Sequence, residues 1–150
     1  NSLDYKNYLG FNLVLYNQDK INICSSRGKE IIKEKDKIFV IGNKAFGTSS
    51  NKLDLAKKEF DQILNTNFTN EDLLNLMQSP QESYDFDQKK LSENHGNEFS
   101  ARFIHSSIYG TRSTTVMTID KNNYIEIKEQ LYDQNGKIGQ EKEFKFKVSL

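Results

Sequence analysis

Between Tyr124 and Leu131 the chain alternates with a period of two: Tyr124, Glu126, Lys128 and Gln130 on one side, Ile125, Ile127, Glu129 and Leu131 on the other. Phe144, Phe146 and Val148 repeat the pattern against Lys145 and Lys147. Successive side chains of a strand point to opposite faces, so this spacing fits half-buried β-structure and no helix. Turn residues stand between the segments, at Asp120-Lys121-Asn122-Asn123 and at Gln134-Asn135-Gly136-Lys137. Strands at Thr114 to Ile119, Tyr124 to Leu131 and Glu143 to Val148 therefore predict an antiparallel meander with one wet face.

The rest of the chain predicts strands first and helices after them. Phe11 to Tyr16 and Ile21 to Cys24, separated by Asn17-Gln18-Asp19-Lys20, read as a hairpin. Ser25 to Gly28 interrupts it, and Ile38-Phe39-Val40-Ile41, closed by Gly42-Asn43, reads as a further strand. Leu53, Ala56, Phe60, Ile63 and Leu64 recur at helical spacing. Thr69 is the expected cap of a second helix, with Asp72 in its first turn and Leu73, Leu74, Leu76 and Met77 as its apolar face. Pro80 fits a helix stop, Gln81 to Glu98 reads as a surface loop, and Ala101 to His105 as a strand. The expectation is one α+β domain over residues 1–150, not a doubly wound parallel sheet.

Composition narrows the functional classes. Lys and Arg number 21 and Asp and Glu number 21, so the chain has no basic surplus with which to bind nucleic acid. No stretch is apolar enough to span a membrane as a helix. Arg occurs only at Arg27, Arg102 and Arg112, and its planar fork suits a bidentate contact better than the ammonium of Lys does. Cys24 is the only cysteine, which excludes an internal disulfide and points to a reducing compartment. Lying in Ile21-Asn22-Ile23-Cys24, it is expected to be a buried, slow-reacting thiol. His95, His105 and Cys24 have no metal-motif spacing, and neither a Gly-rich phosphate loop nor a paired-carboxylate helix motif is present. The reading is accordingly no metal and no cofactor.

Three blocks carry a family resemblance. Tyr109-Gly110-Thr111-Arg112-Ser113-Thr114-Thr115-Val116 with Glu129-Gln130-Leu131-Tyr132-Asp133 resembles the distal strand pair of the transport and Golgi organisation family. That family is also called NRDE, after an Asn-Arg-Asp-Glu motif near its N-terminus. Leu9-Gly10-Phe11-Asn12-Leu13 is similar to its Gly-Phe-Asn-Leu strand, and Ala45-Phe46-Gly47-Thr48-Ser49-Ser50-Asn51-Lys52-Leu53-Asp54 to its Tyr-Gly-Leu-Ser-Asn-x-x-Leu-Asp segment. The departures are Gln130 where the family has Arg, the absence of a Pro-Trp pair after Asp54, and no match to the N-terminal Cys or the Asn-Arg-Asp-Glu segment. The resemblance thus covers nearly all of this chain as the distal portion of the family's domain.

It implies a partial αββα sandwich of the N-terminal-nucleophile-hydrolase type, antiparallel strands with a helical pair. It also implies that the missing first segment, or a protein partner, covers strands otherwise left exposed. In that superfamily an N-terminal Cys, Ser or Thr uses its own α-amine as base. Asn1 cannot do so, so no catalytic residue is expected in the chain as it stands. Asn51 is a candidate oxyanion donor or ligand contact, with helix capping as its structural alternative. Arg112 is a candidate carboxylate or phosphate clamp, with an ion pair to Asp120 or Glu129 as the alternative. Arg102 is a further binding candidate. Asn51 and Arg112 are expected to face one cleft.

Two functional readings follow. In the first the chain has a cytoplasmic, non-catalytic role in Golgi, secretory or mitochondrial organisation, with an acyl-lipid, haem or other small-molecule ligand. In the second it is the distal half of an N-terminal-nucleophile amidohydrolase.

Overall fold

The computed structural model describes residues 10–17, 20–26, 28–34, 38–42, 50–78, 101–105 and 109–148. The order of elements is β1 Asn12–Asn17, β2 Lys20–Ser25, β3 Gly28–Glu34, α1 Asn51–Leu64, α2 Asn70–Gln78, β4 Ser113–Ile119, β5 Tyr124–Tyr132 and β6 Ile138–Lys147. They form two antiparallel three-stranded sheets, ordered β1-β2-β3 and β4-β5-β6, with two helices between them in sequence. The fold class is α+β.

The distal sheet owes its register to two turns of the same design. At each, an Asp accepts from backbone N–H groups further along the turn: Asp120 Oδ1 from Asn122 and Tyr124, both at 2.8 Å. Asp133 Oδ1 accepts from Asn135 at 2.8 Å and Lys137 at 2.9 Å. Each turn then passes through a left-handed residue, Asn123 at φ 63° and Gly136 at φ 70°. A type I turn followed by a left-handed residue fixes which residues face each other. Pairing runs unbroken from Ser113↔Leu131 to Ile119↔Ile125 and from Tyr124↔Lys147 to Leu131↔Gln140. Strand β6 begins at Ile138, five residues earlier than the alternation at Glu143 indicates, because Glu141 and Lys142 keep the ladder without keeping the apolar period.

The helices pack in sequence onto this sheet. Thr69 caps α2 as expected: its hydroxyl accepts from Asp72 N–H at 3.3 Å, and Asp72 Oδ2 accepts in return from Thr69 N–H at 2.7 Å. The core joins Leu73 and Leu74 of α2 to Val116 of β4, with Phe60, Ile63 and Phe68 packed against them. Burying such side chains contributes roughly 1.5–3 kcal/mol each.

The structure departs from the sequence reading of the elements before β4 in three places. Ile38 to Ile41 is half-buried but forms no strand; the third strand of the sheet is Gly28–Glu34, whose run of Lys and Glu hides the β pattern yet suits an edge position. Cys24 is a free, half-buried thiol instead of a buried one, since the fully buried Ile23 takes the inward face and its neighbour must point the other way. Ala101 to His105 is no strand either: it makes one bridge, His105↔Gly110, and Thr111 Oγ1 replaces a ladder partner by accepting from Ile104 N–H at 2.9 Å. The stretch from Gln81 to Glu98, read as a loop, lies outside the described residues, as does Pro80.

Candidate functional site

A groove of about 360 Å³ opens where β4 begins and β5 ends, lined among others by His105, Tyr109, Thr111, Arg112 and Asp133. Three short segments build it. Residues 101–105 lie against 110–111 through Thr111 N–H to Ile104 O at 2.8 Å, and Tyr132 N–H to Arg112 O at 2.9 Å closes the β4 side. The Phe103 ring meets Tyr132 edge-on at 4.8 Å. Two glycines make the close approaches possible. A Cβ on Gly110 would lie 3.3 Å from Ile104 O, and one on Gly136 would press on the His105 ring at 3.1 Å while the backbone stays left-handed.

Tyr132 is held from behind by a polar network. Gln130 is 1% exposed, and its amide is satisfied: Nε2 donates to Glu141 Oε1 at 2.8 Å, and Oε1 accepts from Gln78 Nε2 at 2.7 Å and from Tyr132 OH at 3.2 Å. A neutral Gln in a buried place with three partners carries no desolvated charge. Asp133, a carboxylate lining the groove, is committed to its turn. The backbone N–H of Lys137 foremost, then that of Asn135, holds its carboxyl below the ordinary carboxylate range.

Arg112 stands differently. Its side chain is exposed on the groove, and among the described residues no ion pair joins it to Asp120 or Glu129. Asp120 follows the far end of β4, seven strand residues away, and Glu129 Oε1 instead accepts from Thr115 Oγ1 at 3.3 Å. Among the described residues no carboxylate is paired with the Arg112 guanidinium.

Asn51 is exposed and is the first residue of α1, not its cap. Ser50 is the cap, accepting from Leu53 N–H at 3.4 Å, because an N-cap residue keeps extended dihedrals and Ser50 has them (φ −155°, ψ 151°). Asn51 does not line the Arg112 groove. Arg102 is buried, its side chain 5% exposed, with Nη1 2.5 Å from Glu59 Oε2 of α1. Lys52, next to Asn51, feels Arg102: burial first and that like charge second push its pKa below the ordinary lysine value. The sequence reading passed over Lys52 and Glu59. Their signal was the spacing of seven, two helical turns on one face.

A second groove, about 640 Å³, runs along the start of α2 and over β5 and β6. Its lysines are already spoken for: Lys128 pairs with Glu71 at 2.9 Å, and Lys145 with Glu143 at 2.8 Å and Glu126 at 3.3 Å.

The residues around the first groove are those of the Tyr-Gly-Thr-Arg and Tyr-Asp blocks, which the fold brings together from the two ends of a hairpin. A family model described as Transport and Golgi organisation 2 (TANGO2) matches residues 2–134. The chain belongs to the TANGO2 family. The match takes in both TANGO2 blocks and stops within the β5–β6 turn, so β6 lies beyond it. No match was found among curated proteins. No described helix of this TANGO2-family chain is long and apolar enough to cross a membrane.

Proposed function

We propose that this TANGO2-family chain is a non-catalytic binding protein of the cytoplasm, acting in Golgi or secretory organisation. It holds the anionic head of an acyl, haem-like or other carboxylate-bearing ligand against Arg112. The observation that carries the reading is the exposed Arg112 guanidinium, on a groove and without an ion pair among the described residues. Such a fork binds a carboxylate by two parallel hydrogen bonds. A volume near 360 Å³ is at the small end of ligand sites, so it suits a head group with Tyr109, 57% exposed, against the adjoining apolar part. The Thr111 hydroxyl serves the scaffold by accepting from Ile104 N–H.

The two antiparallel sheets, with a helical pair on the distal one, support the reading of a partial αββα sandwich. The exposed apolar side chains of both sheets, Leu15 and Tyr16 in one and Met117 and Phe144 in the other, fit cover by a further segment or a protein partner. Backbone NMR with laurate and with haem as probes tests the proposed ligand site. Shifts are expected at Tyr109 to Arg112 and at Asp133 to Gly136, and changes confined to other parts of the chain would refute it.

A further inference from the structure

We propose that β6 is an interaction edge for a second copy of this chain, pairing antiparallel with its own counterpart about a two-fold axis at Phe144. This surface shares no residue with the Arg112 groove and stands independently of it. β6 is 10 residues long, all of them exposed, and among the described residues only β5 pairs with it. Its other side presents a row of backbone N–H and C=O groups that a further strand can satisfy. Two common protections of such an edge are missing. From Gln140 to Lys147 the ladder to β5 runs without a shift, and no Pro interrupts it. The third protection, charge, is present with both signs in a definite order: Glu141 and Glu143 precede Phe144, and Lys145 and Lys147 follow it.

That order is its own antiparallel complement. A two-fold axis at Phe144 sets Glu143 of each copy against Lys145 of the other, and Glu141 against Lys147, so symmetry makes each opposite-charge pair twice. These pairs lie on the side of the sheet that α2 covers, while Phe144 meets its own counterpart on the bare side, in the row of Met117 and Ile127. Neighbouring registers are penalised. An axis at Glu143 or at Lys145 sets that residue against itself, like charge on like, and a slip of one residue brings opposite faces together. The charges are accessible, Lys145 at 62% and Glu143 at 49% side-chain exposure, and their mutual contact at 2.8 Å holds both on the pairing face. β4, the opposite edge, has no charged residue from Ser113 to Ile119 and carries no such code. A self-complementary edge selects a second copy over an unrelated strand, because charge pattern fixes partner and register.

The test is sedimentation equilibrium of the full chain, with Glu143→Lys and Lys145→Glu studied singly and as an equimolar mixture. Wild type is expected to form a dimer whose population rises with concentration. Each variant alone sets like charges across the axis and should dimerise at least about tenfold more weakly. The mixture restores every opposite pair, so it should recover wild-type association as a heterodimer. Both substitutions are at exposed positions, and amide spectra verify that each variant is folded. Met117→Lys alters the bare face and leaves the β6 edge intact, so it should leave the dimer unchanged. A wild type that stays monomeric at every concentration, a dimer unmoved by both charge variants, or a mixture that fails to recover it would overturn the proposal. Loss of the dimer in Met117→Lys would place association on the bare face and overturn it equally.

Discussion

On one face of the distal sheet Thr114, Val116 and Gln130 are buried, with α2 packed over Val116, whereas on the other Met117, Phe144 and Phe146 are 57, 54 and 47% exposed. The register makes the contrast sharper. Val116, Lys128 and Glu143 form one cross-strand row on the covered side, while Met117, Ile127 and Phe144 form the matching row on the bare side. The helix thus sits on the more polar face. It is held there by Leu74 against Val116, by Gln78 reaching Gln130 and by Glu71 pairing with Lys128. A few well-packed apolar atoms with satisfied polar partners determine the docking, and total apolar area does not.

The largest expected effect comes from the covered face. Leu74 is fully buried, so Leu74→Ala should cost about 2–5 kcal/mol, measured by chemical denaturation. A loss no greater than that of a surface substitution would mean that α2 is not docked where the contrast places it. Next is Gly136→Ala, at the turn that sets the register of both faces. The left-handed backbone, with His105 3.1 Å from the added Cβ, should cost about 1–2 kcal/mol and perturb the groove beside it. Thermal melting with a fingerprint spectrum decides this.

Phe144→Thr probes the bare face. Half of the ring is in water, so stability should change by less than about 1 kcal/mol while solubility rises. A loss as great as that of Leu74→Ala would show that something covers this face in solution. The smallest effect is electrostatic. Thr69 N–H holds the Asp72 carboxyl, and Lys137 N–H that of Asp133, below the ordinary range. Carboxyls depressed in the folded state contribute stability above their unfolded pKa and lose it as pH falls through the folded values, so melting temperature should decline gently below about pH 4. A decline equal in a Asp72→Asn, Asp133→Asn double variant would assign it to other groups.

The strands were legible before the fold but the covered face was not: the alternation points to a wet polar face, and α2 instead sits on that face and leaves Met117, Phe144 and Phe146 bare. The alternation from Tyr124, the Asp and Asn turns and the Thr69 cap are local codes, and local codes survive into the structure. What the sequence concealed depended on tertiary partners. Gly28–Glu34 joins a sheet despite its charges because an edge strand tolerates them, while Ile38 to Ile41 has the apolar look of a strand but no ladder among the described residues. Ser50 preceded Asn51 as an equally good cap, and only dihedral angles separate them. Arg112 was recognisable as a rare planar donor in a turn block. The Arg102–Glu59 contact joins residues 43 apart and had no local trace.

The claim at the centre of the account is that the Arg112 fork binds a carboxylate. Isothermal titration of wild type and Arg112→Lys with laurate tests it most directly, because Lys keeps the charge and removes the fork. The account predicts folded proteins of equal stability and a 5–30-fold weaker affinity in the variant, equivalent to about 1–2 kcal/mol. Equal affinity in the two proteins would contradict it.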